Sequence, residues 1–335
     1  MIAESQRDLE AYPRGPADRD AWILAHRGPR PAHDPARPQA WFLEEERAAS
    51  GEMVRVATLL LTNRECPWRC LMCDLWKGTL PRKVPPGAIP QQIRHALDRL
   101  GPARQLKLYN SGSFFDAGAV PREDHAAIAR LARGFERVIV ESHPALIGGA
   151  CLRFRDLLVQ SGAAVACKAP RLEVAIGLET AHPQVLERLN KRMTPDQFAA
   201  AAAFLRDHDI ALRVFILVQP PFLAEAEALE WAVRSVHLAF DCGASAVSLI
   251  PTRPGNGALD ALARRGEFSP PRLATLEAAT AAAVRLGRGR VFADLWDLGP
   301  FSQCAACFPA RMVRLREMNR SQQVPPPVAC AGCGP

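Results

Sequence analysis

The chain has 335 residues, 48% of them hydrophobic, enough for one large α/β barrel with a small appendage or for two ordinary domains. Its 42 basic and 35 acidic residues leave a formal charge of +7, a modest excess that fits an RNA partner or an anionic cofactor and demands neither. No apolar run reaches membrane-spanning length, and the N-terminus, with Glu4, Arg7, Asp8 and Glu10, lacks the basic-then-apolar order of a secretory leader. A soluble cytoplasmic protein with no membrane partner is expected.

Residues 1–50 are rich in Pro, Arg and Asp and weakly periodic, which predicts a partly ordered N-terminal arm. Trp22, Ile23 and Leu24, then Trp41, Phe42 and Leu43, are the side chains able to dock it. From Val54 a rhythm begins. Strands are predicted at Val54–Leu61, Gln105–Tyr109, Val138–Glu141, Leu172–Ile176, Leu212–Val218 and Ala246–Ile250, with a further short run at Val291–Asp294. Helical patterns lie between them: Pro90–Leu100, Glu123–Phe135, Leu152–Ser161, Pro195–Asp207, Glu225–Asp241 and Pro271–Leu286. Repeated βα units imply a parallel sheet. Six or seven units are too few for a full eight-stranded barrel and suit an open partial barrel or a doubly wound sheet, both of which bind ligands at the carboxyl ends of the strands. The division is 1–50 for the arm, 51–290 for the barrel and 291–335 for a cysteine-rich extension.

The first predicted strand ends at Leu61 and runs through Thr62-Asn63-Arg64-Glu65 into Cys66-Pro67-Trp68-Arg69-Cys70-Leu71-Met72-Cys73. Iron–sulfur clusters need thiolate ligands. Cys66, Cys70 and Cys73 in one loop can hold three irons of a [4Fe–4S] cluster and leave the fourth open to bind a small molecule. Structural zinc normally takes four ligands. This loop offers three, and the nearest histidine in sequence is His95.

The C-x3-C-x2-C loop after a strand of a βα repeat resembles that of the radical S-adenosylmethionine (SAM) superfamily, over about Val54 to Thr252. The resemblance implies an α/β fold, a partial (β/α)6 barrel, one [4Fe–4S] cluster and SAM. It implies reductive cleavage of SAM to a 5′-deoxyadenosyl radical that abstracts hydrogen from a small-molecule or tRNA-linked substrate. It also implies an electron donor such as flavodoxin or ferredoxin. Met72 stands where the superfamily often has an aromatic residue, and would pack on the adenine edge. Tyr109-Asn110-Ser111-Gly112-Ser113 stands where a Gly-Gly-Glu turn usually meets the SAM amino group, so Asn110 and Ser111, with Gly112, would take that place. Gly177-Leu178-Glu179-Thr180 and the following Leu189-Asn190-Lys191 resemble the family pattern in which a basic residue binds the SAM carboxylate, a position held here by Lys191, with Glu179 at the strand end beside it; Lys191 and Arg192 as a solvated helix end is the alternative for the lysine. Glu179 paired with Lys191 or Arg213 as a plain strand-end ion pair is the alternative. Phe114, His143, Gln219 and Arg253 would shape the substrate pocket; their types name no molecule and no catalytic residue. Within the superfamily, the Gly-Leu-Glu-Thr, Leu-Asn-Lys and Pro-Pro-Phe-Leu segments are similar to the archaeosine synthase radical SAM subunit and the Elongator-type radical SAM proteins, which act on tRNA. A metal-stabilised RNA-binding or scaffold protein with a non-catalytic barrel is the competing reading.

Near the C-terminus, Cys304-Ala-Ala-Cys307 and Cys330-Ala-Gly-Cys333 form two tight pairs. Four such thiolates satisfy zinc or a second [4Fe–4S] cluster. Between them Arg311, Arg314, Arg316 and Arg320 fall at helical spacing, predicting an amphipathic helix with a solvated basic face. Cys151, Cys167 and Cys242 stand alone and read as buried small hydrophobes.

Overall fold

The structure is a computed structural model that describes residues 11–163 and 169–332; Cys167 and Cys333 lie outside the described residues. In chain order its elements are α1 (Pro16–Ala25), β1 (Ala40–Arg47), β2 (Met53–Leu61), α2 (Ala88–Leu97), β3 (Gln105–Asn110), α3 (His125–Ala132), β4 (Arg137–Glu141), α4 (Gly149–Ala163), β5 (Arg171–Glu179), α5 (Pro183–Arg188), α6 (Pro195–Asp207), β6 (Ala211–Val218), α7 (Glu225–Asp241), β7 (Ala246–Pro251), α8 (Ala258–Arg264), α9 (Leu273–Arg285), β8 (Arg290–Ala293) and α10 (Phe308–Ser321). Strands β1 to β8 lie side by side in chain order in one sheet. All neighbours from β2 to β8 are parallel, and β1 is antiparallel to β2 with Ala40 opposite Leu60 and Arg47 opposite Met53. Helices between parallel strands are what a βα repeat requires, since a hairpin cannot join them.

Alternation decides which side of each strand meets the helices. Leu59 and Leu61 of β2 are fully buried with Ile89 and Ile93 of α2, Leu106 and Leu108 of β3 and Phe154 of α4 in the main core. Each such side chain contributes roughly 1.5–3 kcal/mol through removal from water. The opposite face of the same strands carries Thr58, Lys107, Glu173 and Arg213, which are buried as well. Charges survive there because the sheet curls and brings them together. Arg213 of β6 reaches Glu46 of β1 at 2.5 Å and Glu173 of β5 at 2.7 Å. Lys107 of β3 reaches Glu46 at 2.7 Å and Glu44 at 2.8 Å, and Arg137 of β4 reaches Glu173 at 3.0 Å. Ion pairs between β1 and β6 across the interior are possible only in a curled, barrel-like sheet.

The seam between β1 and β8 is closed by α10. The amide of Gln322, just past α10, brackets the backbone of Val291, and that of Asn319 brackets Ala293, both on β8. From the other side Arg47 of β1 donates to the carbonyl of Arg320 at 3.0 Å. The expected solvated basic face of this helix is corrected in part: Arg311 and Arg314 are buried, and both bind the buried carboxylate of Glu277 on α9. Of the isolated cysteines, Cys151 is buried and Cys242 half-buried. Within residues 11–50, the helix α1 and the strand β1 are formed. No helix among the described residues is long and apolar enough to cross a membrane.

Candidate functional site

The carboxyl ends of β2 to β8 surround an open mouth. Leu60 and Phe42 sit on the inner face and remain 36% and 38% exposed, so the interior above the charged floor is accessible. Tyr109, Glu141, Gly177, Phe215 and Ile250 are half-buried around the same opening.

The three-thiol loop leaves β2 at this mouth and is tied to five other segments. The Asn63 amide oxygen accepts the N–H of Ser111 at 3.0 Å. The N–H of Leu71 donates to the carbonyl of Leu189 at 2.9 Å. Asn190 donates to the carbonyl of Arg69 at 2.8 Å, and Asn256 to that of Leu71 at 2.8 Å. Trp68 stacks on His143 at 3.7 Å between ring centroids. The N-terminal arm completes the grip. Glu65, next to Cys66, is held by Arg27 at 2.6 Å, by Arg30 and by Arg69 at 3.3 Å, while Asp20 of α1 accepts from Asn190 at 2.7 Å. Tyr12, Trp22 and Ile23 pack with Leu71 and Phe268 in a small apolar cluster over the loop.

The residues expected at a SAM site meet here. Lys191 and Glu179 pair at 2.5 Å, which is also the bland alternative for Glu179; Arg213 instead lies at the floor. Against the pull of burial, the Glu179 carboxylate and the nearby Cys70 and Cys66 hold the Lys191 ammonium above its ordinary value. Gly112 has φ +149°, and a Cβ there would stand 3.0 Å from Cβ of Cys66, so the turn after β3 lies directly on the cysteine loop. Ser111 is buried beside it. Asn110 is buried with neither side-chain oxygen nor nitrogen hydrogen-bonded. An orphaned amide of this kind costs about 1–3 kcal/mol unless a partner from outside the chain answers it. Met72 packs between two apolar clusters that contain Leu71 and Leu189. Burial pushes the thiols of Cys66, Cys70 and Cys73 up to about 12, so as isolated groups they stay protonated at neutral pH and become thiolates only on a metal. Soft donors, a cationic Lys191 and an unsatisfied amide fit an iron–sulfur cluster carrying an amino acid-like ligand.

Of the expected pocket residues, Phe114 is corrected: it is fully buried in the core against Phe154 and His125. His143 is at the mouth, donates from Nε2 to the carbonyl of Lys191 at 2.9 Å while its Nδ1 accepts from the Ala145 N–H, and is pushed down to about 4 by burial, so it is neutral. Gln219 binds Ser269 through its nitrogen and leaves its buried oxygen without a partner. Arg253 pairs with Asp294 at 2.8 Å. Sequence reasoning missed Glu141, Asn190, Asn256 and the arginines of the arm. Glu141, at the end of β4, has its carboxyl pushed up to about 8 by burial, with Glu179 adding to the effect against the Asn110 N–H and Lys191. Asn190 lay inside the quoted Leu-Asn-Lys segment and adopts φ +57°. Among the described residues eight non-glycine residues have positive φ, and five of them, Glu179, Asn190, Arg192, Gln219 and Phe222, lie in the loops of this mouth. Strained backbone of this kind collects at ligand sites.

No family model matches the chain. It is 23% identical over 267 residues to an uncharacterized protein of Methanocaldococcus jannaschii, covering 74% of this chain and 70% of that one. It is 25% identical over 256 residues to archaeosine synthase subunit beta of Methanosarcina acetivorans, covering 73% and 70%. Among solved structures it superposes on methylornithine synthase with a TM-score of 0.51 at 11% identity, over 97% of this chain and 85% of that one, a likeness of fold. Carrying a three-thiol loop at the mouth of a curled βα sheet, the chain has a radical SAM-like partial barrel fold, and its sequence is similar to that of archaeosine synthase subunit beta.

Proposed function

We propose that the chain is a radical SAM enzyme acting on a tRNA-linked base. The observation that carries this reading is the convergence of Cys66, Cys70 and Cys73 with the orphaned Asn110 amide and the Lys191–Glu179 pair at one barrel mouth. Bound there, the [4Fe–4S] cluster and SAM supply one-electron cleavage of SAM to methionine and a 5′-deoxyadenosyl radical, which takes a hydrogen atom from the substrate. The electron comes from a donor of the flavodoxin or ferredoxin class.

The chain's own part is binding and positioning. Cys66, Cys70 and Cys73 would hold the cluster as thiolates. Lys191 offers a charge-assisted hydrogen bond to a carboxylate, and Glu179 and Asn110 offer acceptors to an ammonium. Met72 and Leu71 give an apolar wall beside them. The stacked Trp68 and His143 and the docked arm hold the loop in place. No titratable general base is needed, because the substrate loses a hydrogen atom and not a proton.

The tRNA part of the reading is supported by the archaeosine synthase relative and by the +7 charge. Binding through several phosphates falls steeply with salt. The affinity for unmodified tRNA should therefore drop by at least about tenfold between about 50 and about 200 mM salt. Binding undetectable at the lower salt would leave a free small molecule as the substrate.

A further inference from the structure

The tail cysteines sit closer together than any other candidate ligands. The sulfurs of Cys304 and Cys330 are 3.7 Å apart. Those of Cys304, Cys307 and Cys330 all lie within 4.8 Å of one another, and no other three Cys, His, Asp or Glu side chains among the described residues gather so tightly. The distance discriminates between metal centres. Four thiolates at about 2.3 Å around one ion form a tetrahedron with edges of about 3.8 Å. In a [4Fe–4S] cluster each thiolate sits on a different iron, at the corners of a larger body, so its ligands stand further apart.

We propose that Cys304, Cys307 and Cys330 hold one tetrahedral zinc ion and not a second cluster; Cys333, the last cysteine of the two C-x2-C pairs, lies outside the described residues. The surroundings match a closed, anionic site. Arg311 donates from Nε to the sulfur of Cys307 at 3.4 Å. Arg311 and Arg314 both face the carboxylate of Glu277. The site also has a mechanical place. It pins the first turn of α10, while Arg314 donates to the carbonyls of Pro325 and Pro326 and so holds the returning strand of the tail. The far end of α10 is what closes the seam between β1 and β8. Zinc here is a clasp on the barrel.

The test is iron and zinc analysis of the full-length chain, purified and reconstituted without oxygen. The assignment predicts about one zinc per chain beside about four irons of the loop cluster. About eight irons without zinc would overturn it, as would four irons and no other metal. Cys304→Ser should lose the zinc, keep the loop iron and melt several degrees lower; retention of zinc by that variant would also contradict the assignment. If the variant does not fold, growth of the natural chain in cobalt replaces it, with tetrahedral thiolate-to-cobalt absorption expected and octahedral cobalt contradicting it. None of these readouts depends on SAM cleavage. Failure of the loop cluster would show as missing iron with zinc retained.

Discussion

The floor and the mouth of the barrel are both polar, yet they are built in opposite ways. At the floor every named charge is answered: Arg213 by Glu46 and Glu173, Lys107 by Glu44 and Glu46, Arg137 by Glu173. Against the pull of burial, Arg213 and Lys107 hold the Glu46 carboxyl far below its usual range. At the mouth, Asn110 and the Gln219 oxygen are buried and unanswered, and the Glu141 carboxyl is pushed up instead of down. The floor too has an unanswered atom, the buried Oε1 of Gln105 at the start of β3, so the contrast lies in the carboxyls, held down by cations at Glu46 and pushed up by burial at Glu141. The same side-chain types thus do different work according to whether their partners belong to the chain.

The largest effect that separates the two regions is expected at the floor. Arg213→Met leaves Glu46 and Glu173 short of their shared cation, and breaking a buried pair in this way costs about 3–5 kcal/mol. Denaturant unfolding should show that loss; a change below about 1 kcal/mol would mean that the floor contributes no more than a surface pair. At the mouth the converse holds. Asn110→Ala removes two unsatisfied atoms, so stability should stay within about 1 kcal/mol of the natural chain while SAM affinity falls by about 1–3 kcal/mol. Calorimetric titration with SAM and a melt of the same variant read both. A destabilised variant with unchanged SAM affinity would place Asn110 with the floor.

The two ends should also respond oppositely to pH. Glu46 has a lowered folded value, so its stabilisation is present above the unfolded value and is lost as pH falls. Glu141 has a raised one, so the folded state keeps its proton while the unfolded chain ionises above about 4.3, and stability is lost as pH climbs toward about 8. Glu141→Gln should recover about 1–3 kcal/mol at pH 9 relative to pH 5, the smaller part of the linkage because the side chain is only half-buried. Unfolding curves at the two pH values that run parallel to those of the natural chain would remove Glu141 from the account.

The seven strands of the βα repeat were legible because each is a short apolar run set off by a helix, most of them rich in β-branched residues, and all seven appear as β2 to β8. β1 was not. Glu44-Glu45-Glu46-Arg47 reads as solvated surface, and only the curl of the sheet, which sets Glu46 against Arg213 of β6, buries Glu46 and makes a strand of the segment. Arg311 and Arg314 failed for the same reason: their partner Glu277 lies on a different helix, and periodicity within one segment cannot show it. Cys66, Cys70 and Cys73 could be read from spacing alone, since a cluster loop is local. Asn190, Asn256 and the arginines of the arm reach that loop from distant parts of the chain, and nothing local marks them.

The most direct measurement is 5′-deoxyadenosine formation by the reconstituted chain with SAM and dithionite in the absence of oxygen. The account predicts product from the natural chain and none from Cys70→Ala, whose fold and tail zinc should survive. Equal product from Cys70→Ala, or no product from a natural chain carrying its full iron, would contradict the assignment of the mouth as a radical SAM site.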